Sequence, residues 1–510
     1  MQNAPLTHRT AAPPTPFLAL LARAQDGAKP CELGSIPPYA VTARSAADVA
    51  AALAFARAHN LRVAVKSTGH EYQGRSTSAN ALLIWLHEMR GVSTSASFAA
   101  CDGDTPQPAL TAAPGDPWAT AYAAADAAGA TVVGGSEVSV SACGGYTFGG
   151  GHSWTSAAYV LAVDNLLQAT AVLANGSVVT ASRCANPDLF WALRGGGGGT
   201  FAVATQCVYA LHPIPAGGVA GATMAVKLLR GESSFADIMD AVLYCVGNIW
   251  NSAENEVKSG VVGGGYFLFN LAESTVELLA AFNGSTAQAN LAVTPIVDFV
   301  QQNPLDYAIT ASSLTQFPSY HAWHSSWDPT SEATGSVSTI GSRLVPTSLL
   351  KNDSQRIALA INMTTIAAYV GGVEGLLTCG GVVQQLDRDS SATSAVPAWR
   401  DAGIHLVIGS GWALNASLAQ QQATLTGISE LTGIMRAAVP DSGAYWSESD
   451  FLAPAWQQEL YGVNYPRLQQ VKKAYDPAGV FTCREFSALE HGRLSARAGR
   501  CNARAAATAP

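Results

Sequence analysis

His70 stands between Gly69 and Glu71 in the stretch VAVKSTGHEYQGRS, residues 63–76. An apolar strand gives way there to a polar turn, where main-chain N–H groups can point at an anion and an imidazole is presented rather than packed. Two further stretches share the glycine richness: VSACGGYTFGGGHSW at 140–154, which carries His152, and LRGGGGGTFAVAT at 193–205. Glycine lets a backbone approach a ligand closely and take positive φ. Three such loops beside expected strands, within about 200 residues, read as the walls of one ligand site rather than as linkers. None matches GxGxxG before a helix or GxxxxGK[ST], which argues against a nicotinamide Rossmann site and a P-loop. His321 and His324 in SYHAWHSSW have metal-like spacing, but no Cys, Asp or Glu lies beside them, so they read as loop or pocket residues and no metal is expected.

The elements that must position these loops are legible in the first 215 residues. SAADVAAALAFARAHN opens on Ser45 with Asp48 three residues on, a capping box, and stops at Asn60. LRVAVKS follows as a strand. GDPWATAYAAADAAG predicts a helix with Asp116 as N-cap, Pro117 at the first helical position and Gly129 past the end, followed by a strand, ATVVGG. NLLQATAVLANGSVVTAS predicts a hairpin turning at Asn175-Gly176. NPDLFWALRG repeats the helix device, with Asn186 as cap, Arg194 in the last turn and Gly195 as stop. Phe201, Val203, Cys207, Tyr209 and Leu211 then alternate at period two.

The whole chain bounds the function. Its 510 residues are too many for one ordinary core. A net charge of −8 argues against a nucleic-acid partner, and no run of 18 apolar residues predicts a membrane span. The N-terminus lacks a signal-peptide pattern. Nine cysteines without metal spacing, and five N-x-S/T sequons at Asn175, Asn283, Asn352, Asn362 and Asn415, point the other way, toward a secretory history.

Taken in order, VKSTGHEYQGRS, GGYTFGGGHSW, AVDNLLQATAVLANGSVVTAS, NPDLFWALRGGGGGTFAVAT and YGVNYPRLQQVKKAYDP resemble the vanillyl-alcohol-oxidase-like flavoproteins. Within them the chain looks most like the berberine-bridge-enzyme-like branch in its fungal FAD-linked oxidase form, over about residues 31–490. The resemblance implies an α+β fold, with a two-part PCMH-type FAD-binding domain around an inserted α+β substrate domain. The expected division is an N-terminal extension at 1–30, the FAD domain at 31–217, the substrate domain at 218–445, a C-terminal segment at 446–490 that completes the FAD site, and a disordered tail at 491–510.

It also implies roles. His70 would carry FAD on its imbidazole through the flavin 8α-methyl, with Thr68, Gly69, Glu71, Tyr72, Gly74, Arg75 and Ser76 forming the loop at the pyrophosphate. The family often adds a cysteine link to flavin C6. Here that position is Glu137, and Cys143 falls where a small residue is usual, so a single link through His70 is expected. Val140 falls at the position that gates dioxygen, where valine accompanies oxidases and leucine dehydrogenases. Gly144, Gly145, Gly150 and His152 fall in the cofactor loop, Gly199 leads into the stretch from Phe201 to Thr205 that runs beside the adenine and contains Val203, and Asn464 and Tyr465 fall in a segment that returns to the flavin. Many relatives take the substrate proton with a tyrosine in AYxNYxD. In GAYWSESD, read as the same kind of strand, that place is held by Glu448, whose pKa partial desolvation beside a flavin would raise and which can be the base or a structural carboxylate, with Asp450 and His405 the next candidates.

The implied activity is an FAD-dependent oxidase. It removes a hydride from a C–H beside O or N of a small molecule (an alcohol, sugar or secondary metabolite) and passes the electrons to O2, giving H2O2. The alternatives are a dehydrogenase of the same fold and a flavin-binding protein without turnover. Tyr320, Trp323, Trp327 and Trp412 are candidate pocket walls. The family implies a secreted protein, and without a visible signal peptide an intracellular one stays open.

Overall fold

The computed structural model describes residues 35–250, 262–327, 337–386, 392–413 and 415–482. The N-terminal extension at 1–30, the tail at 491–510, and Cys31, Cys483 and Cys501 lie outside the described residues.

Two sheets carry the half that contains the glycine loops. One is parallel, with Ala81–Trp85 between Tyr39–Thr42 and Arg62–Lys66. The other is antiparallel, in the order Ser93–Phe98, Gln107–Ala112, Val203–Ala210, Leu166–Val172, Val178–Ala181. Helix Ala46–Ala58 forms behind its capping box: the Asp48 N–H donates to Ser45 Oγ, and Asp48 Oδ2 accepts from the Ser45 N–H. The hairpin pairs Val172 with Val178, and Gly176 takes φ +89° in its turn.

Two caps differ from expectation. Helix Trp118–Ala127 has Pro117 as its N-cap, because Asp116 Oδ2 is taken by the Gly91 and Ala113 N–H groups. Asn186 precedes helix Pro187–Leu193 in a left-handed conformation, and its amide donates to the Thr180 carbonyl instead of capping. The glycine loop at 140–154 also contains a turn of helix, Gly145–Gly149, that its composition did not signal. A disulfide joins Cys143 in that loop to Cys207 on the central strand, and a second joins Cys101 to Cys184. Cys245 and Cys379 are free and buried.

The other half is a seven-stranded antiparallel sheet in the order Tyr307–Phe317, Val219–Leu228, Thr275–Asn283, Gly263–Asn270, Gly372–Leu377, Ala402–Gly411, Ser338–Pro346. Strand alternation gives it two different faces. Phe267, Phe269, Val276, Leu278, Ile404 and Leu406 point into the largest core, against Ile238 and Met239 of helix Phe235–Cys245 and Leu359 and Met363 of helix Asp353–Val370. Each such buried side chain contributes about 1.5–3 kcal/mol. On the opposite face Tyr266, Leu376, His405 and Leu344 form one cross-strand row. That row meets the glycine-loop half: Tyr266 stacks on Trp154 at 4.1 Å and donates to Ser136 Oγ at 2.6 Å.

The chain then returns. Ala444, Trp446, Leu460, Tyr461, Leu468 and Val471 join the core of the glycine-loop half, carried by a 3-10 turn at Trp446–Glu448 and helices Trp456–Tyr461 and Tyr465–Tyr475. Glu448 therefore sits on a tight turn, where a strand was expected. His321 and His324 lie on helix Tyr320–Trp327 instead of a loop.

Candidate active site

A groove of about 730 Å³, counting the open space at its mouth, runs between the three glycine-rich loops. Thr68, Gly69, His70, Glu71, Arg75 and Ser76 form one side, Val140, Cys143, Gly144 and Gly145 a second, and Gly198, Gly199 and Val203 a third, while Trp446 of the returning segment closes it. The glycines are there for space. A Cβ added at Gly145 would meet no atom within 4 Å, and one at Gly199 would reach only Val65 at 3.7 Å, so side chains at either place would fill the groove itself. Gly69 and Gly199 also hold positive φ, +100° and +67°, which other residues rarely adopt.

The His70 loop is braced on both sides. Thr68 Oγ1 accepts from the Ser141 N–H at 3.0 Å, joining the first loop to the second. Glu71 pairs with Arg75 at 2.8 Å, and the Arg75 guanidinium lies 3.5 Å from the Trp446 ring centroid and donates to the Trp446 carbonyl. The Gln73 amide donates to the Ser449 carbonyl at 2.8 Å. Glu71 and Arg75 thus clamp the groove shut against the C-terminal segment.

His70 Nε2 lies 2.7 Å from Ser139 Oγ, and the Ser139 hydroxyl donates to Glu137 Oε1 at 2.6 Å. The ring is exposed at the groove edge. The surrounding walls still desolvate it enough to draw its pKa below the ordinary imidazole value, against the opposing pull of Glu137. It is therefore neutral near pH 7.

Six residues placed near the cofactor by sequence do not line the groove. Tyr72 is half exposed, and Gly74 serves a turn at φ +75°. Gly150 packs beneath Tyr445 and Trp399. The Asn464 amide donates to the Ala395 carbonyl, and Tyr465 packs against Trp456 and Tyr461. These last two join the returning helices to the fold.

The sixth, His152, belongs to a second constellation. Its Nε2 lies 3.2 and 3.3 Å from the two oxygens of Glu448, and His405 Nδ1 lies 3.5 Å from Oε2. The rings of Trp399 and Tyr445 pack around both imidazoles. Burial pushes His405 down to about 3, Glu448 opposing and His152 adding to the shift. Burial alone would raise Glu448, but the His152 and His405 imidazoles outweigh it and hold the carboxyl below its usual value. The expectation of a raised Glu448 pKa is thereby corrected. The Glu448 side chain keeps 20% of its surface accessible, so it can be reached by a small molecule. The three ligand-type atoms lie within 4.8 Å of one another, a spacing a divalent ion could bridge, although the hydrogen-bond distances account for it without one.

Asp450 is spent elsewhere: it is buried, accepts from Ser429 Oγ at 2.7 Å, and pairs with Arg436. Tyr320 and Trp323 are buried with Trp154 in a small aromatic cluster, Trp412 is half-buried, and the side chain of Trp327 lies outside the description. His324 Nε2 is 2.7 Å from the Ser136 carbonyl. Sequence reasoning missed Ser139 and Trp446. Ser139 had a signal, since Glu137, Ser139 and Ser141 alternate with Val138, Val140 and Ala142 beside the glycines. Trp446 had none, because only the chain's return brings it to the groove.

The donor set suits a dinucleotide cofactor: a long groove walled by glycine backbone, with an exposed neutral imidazole at one edge. Comparison with known proteins agrees. A family profile for an FAD binding domain matches residues 37–182, and one for berberine and berberine-like proteins matches residues 444–485. FAD-linked oxidoreductase ZEB1 of Gibberella zeae is 31% identical over 461 residues, covering 89% of this chain and 76% of that protein. VAO-type flavoprotein oxidase VAO615 of Thermothelomyces thermophilus is 32% identical over 466 residues, covering 89% and 77%. The crystal structure of VAO-type flavoprotein MtVAO713 from Myceliophthora thermophila C1 superposes with a TM-score of 0.80 at 28% identity, covering 91% of this chain and 82% of that one. Glucooligosaccharide oxidase from Acremonium strictum, which carries a 6-S-cysteinyl, 8α-N1-histidyl FAD, shares the fold with a TM-score of 0.69 at 21% identity, covering 88% and 90%.

Proposed function

From a chain that belongs to the FAD-linked oxidoreductases of the berberine-bridge-like branch, we propose a covalent flavoprotein oxidase in which Glu448 takes the substrate proton. FAD, when bound, supplies the two-electron acceptor. Thr68, Gly69, His70, Gly145, Gly199 and Val203 would hold it, with His70 as the single covalent attachment, since Glu137 offers no thiol.

The observation that carries the reading is the Glu448 carboxylate, kept ionised between two imidazoles yet still accessible. An O–H or N–H beside the carbon being oxidised must lose its proton as hydride leaves that carbon. Glu448 accepts that proton. His152, 3.2 Å away, orients the carboxylate and can relay the proton onward, and neutral His405 closes the far side. Trp446, two residues before Glu448, forms part of the groove wall, which supports a base working beside the cofactor groove. Val140 on the opposite wall supports dioxygen as the electron acceptor, giving hydrogen peroxide.

Substrates of the class are alcohols, sugars and secondary metabolites. The two disulfides support a protein that matures in an oxidising compartment and is secreted. The test is an absorbance spectrum of the purified protein and of its acid-precipitated pellet, followed by a peroxide-release screen on wild type and Glu448→Gln. A yellow pellet with peroxide released by wild type alone supports the reading. Colour released into the supernatant overturns the covalent link, and equal turnover by the variant overturns the base.

A further inference from the structure

We propose that Ser139, backed by Glu137, is the positioning residue that makes His70 a nucleophile toward the flavin. The inference rests on the reading of His70 as the attachment residue.

The hydrogen bonds determine which nitrogen can react. The Ser139 hydroxyl has one hydrogen, and it points at Glu137 Oε1, 2.6 Å away. The Ser139 N–H donates to the same oxygen at 2.9 Å, which locks the carboxylate and the hydroxyl together. Ser139 Oγ can then meet the imidazole only as an acceptor, so the hydrogen between it and His70 Nε2, at 2.7 Å, belongs to the ring. His70 is thereby held as the Nε2–H tautomer, with the lone pair on Nδ1. The neutral state favoured by the groove walls keeps that lone pair free at pH 7.

Attachment then balances as follows. The 8α-methyl of the flavin loses a proton, and the electron pair of that C–H bond passes into the ring. The Nδ1 lone pair forms the new C–N bond. Nε2, now part of a cationic ring, gives its proton to Ser139 as Ser139 gives its own to Glu137. The ring is left reduced by two electrons and is returned to its oxidised form by dioxygen, which takes up those two electrons together with the two protons, the one the methyl gave to solvent and the one Nε2 passed through Ser139 to Glu137, and leaves as hydrogen peroxide. In this chain the position where the resemblance puts a second, cysteinyl link is thus occupied by a proton acceptor that serves the first link.

The test follows the covalent fraction of flavin, the part retained in an acid-precipitated pellet, in freshly purified protein and during incubation with added FAD in air. Total bound FAD is measured in parallel. Ser139→Ala is expected to bind FAD stoichiometrically but to attach it at least tenfold more slowly than wild type. Ser139→Thr, which keeps the hydroxyl, is expected to restore the rate, and Glu137→Gln to slow it while leaving FAD binding intact. A purely structural role for Ser139 would lower binding and attachment together and would not be rescued by threonine. Attachment at the wild-type rate in Ser139→Ala, with wild type covalent, overturns this inference alone. Flavin released from the wild-type pellet overturns the His70 reading and the inference with it.

Discussion

The groove and the carboxylate–imidazole cluster lie on either side of one short turn, yet they are built from opposite materials. The groove is walled largely by bared backbone from three continuous stretches and closed by Trp446, and its chemistry is shape. The cluster is made of three side chains on three separate elements, with His152 and Glu448 296 positions apart, and its chemistry is charge. Their neighbourhood depends on the returning segment, where Trp446 walls the groove and Glu448 enters the cluster. A site of shape announces itself in composition, because glycines clustered within a few residues bare a loop. A site of charge does not, because any residue type can meet any other once the chain folds.

If the two regions do different work, they can be broken separately. The largest effect is expected from Glu448→Gln, which should lower kcat/KM by about 10²–10⁴ while leaving the flavin spectrum unchanged; activity within a few-fold of wild type would show that the charge is idle. Arg75→Ala removes both the Glu71 pair and the cation over Trp446, so it strikes the brace the two regions share. With both partners largely buried, unfolding by denaturant should show a loss of about 3 kcal/mol. Gly145→Leu places a side chain in the groove from a position where its Cβ meets no atom within 4 Å, so the protein should keep its melting temperature but bind FAD roughly tenfold more weakly, read from flavin content after purification.

A smaller effect concerns pH. An unfolded chain protonates His405 below about pH 6.5, whereas the folded ring stays neutral to about 3. Between those limits the unfolded state binds the extra proton, so stability falls as pH falls. Glu448, with its folded pKa depressed, adds a further loss below its ordinary value, as pH drops through the folded one. Melting temperatures of His405→Gln should therefore decline less steeply than wild type between pH 6.5 and 5. The smallest effect is expected from a metal chelator. If Glu448 acts as a base between two imidazoles, dialysis against one leaves turnover unchanged, and loss of turnover restored by a divalent ion would recast the cluster as a metal site.

Much of the fold was legible where local chemistry decided it. The capping box at Ser45 and Asp48 and the turn at Gly176 appear where the residues called for them. The errors share one cause. Asp116, Asn186 and Asp450 are short polar side chains whose sequence neighbourhoods suggest caps or a base, but each found a partner brought from elsewhere: the Gly91 N–H, the Thr180 carbonyl, the Arg436 guanidinium. Tertiary hydrogen bonds outbid local ones wherever burial makes an unpaired partner costly.

By itself the sequence determined the glycine cradle, the exposed His70 within it and the family to which they belong, because backbone freedom and a bared loop are properties of consecutive residues. Only the tertiary structure decided which atoms act on one another. It set Ser139 and Glu137 behind His70 and turned His405 away from the helix-packed face of its strand. It also carried Glu448 back across the chain to meet two imidazoles. Hydrogen bonds and pKa values depend on distances of a few ångströms between residues hundreds apart, and those distances exist only once the sheets have packed.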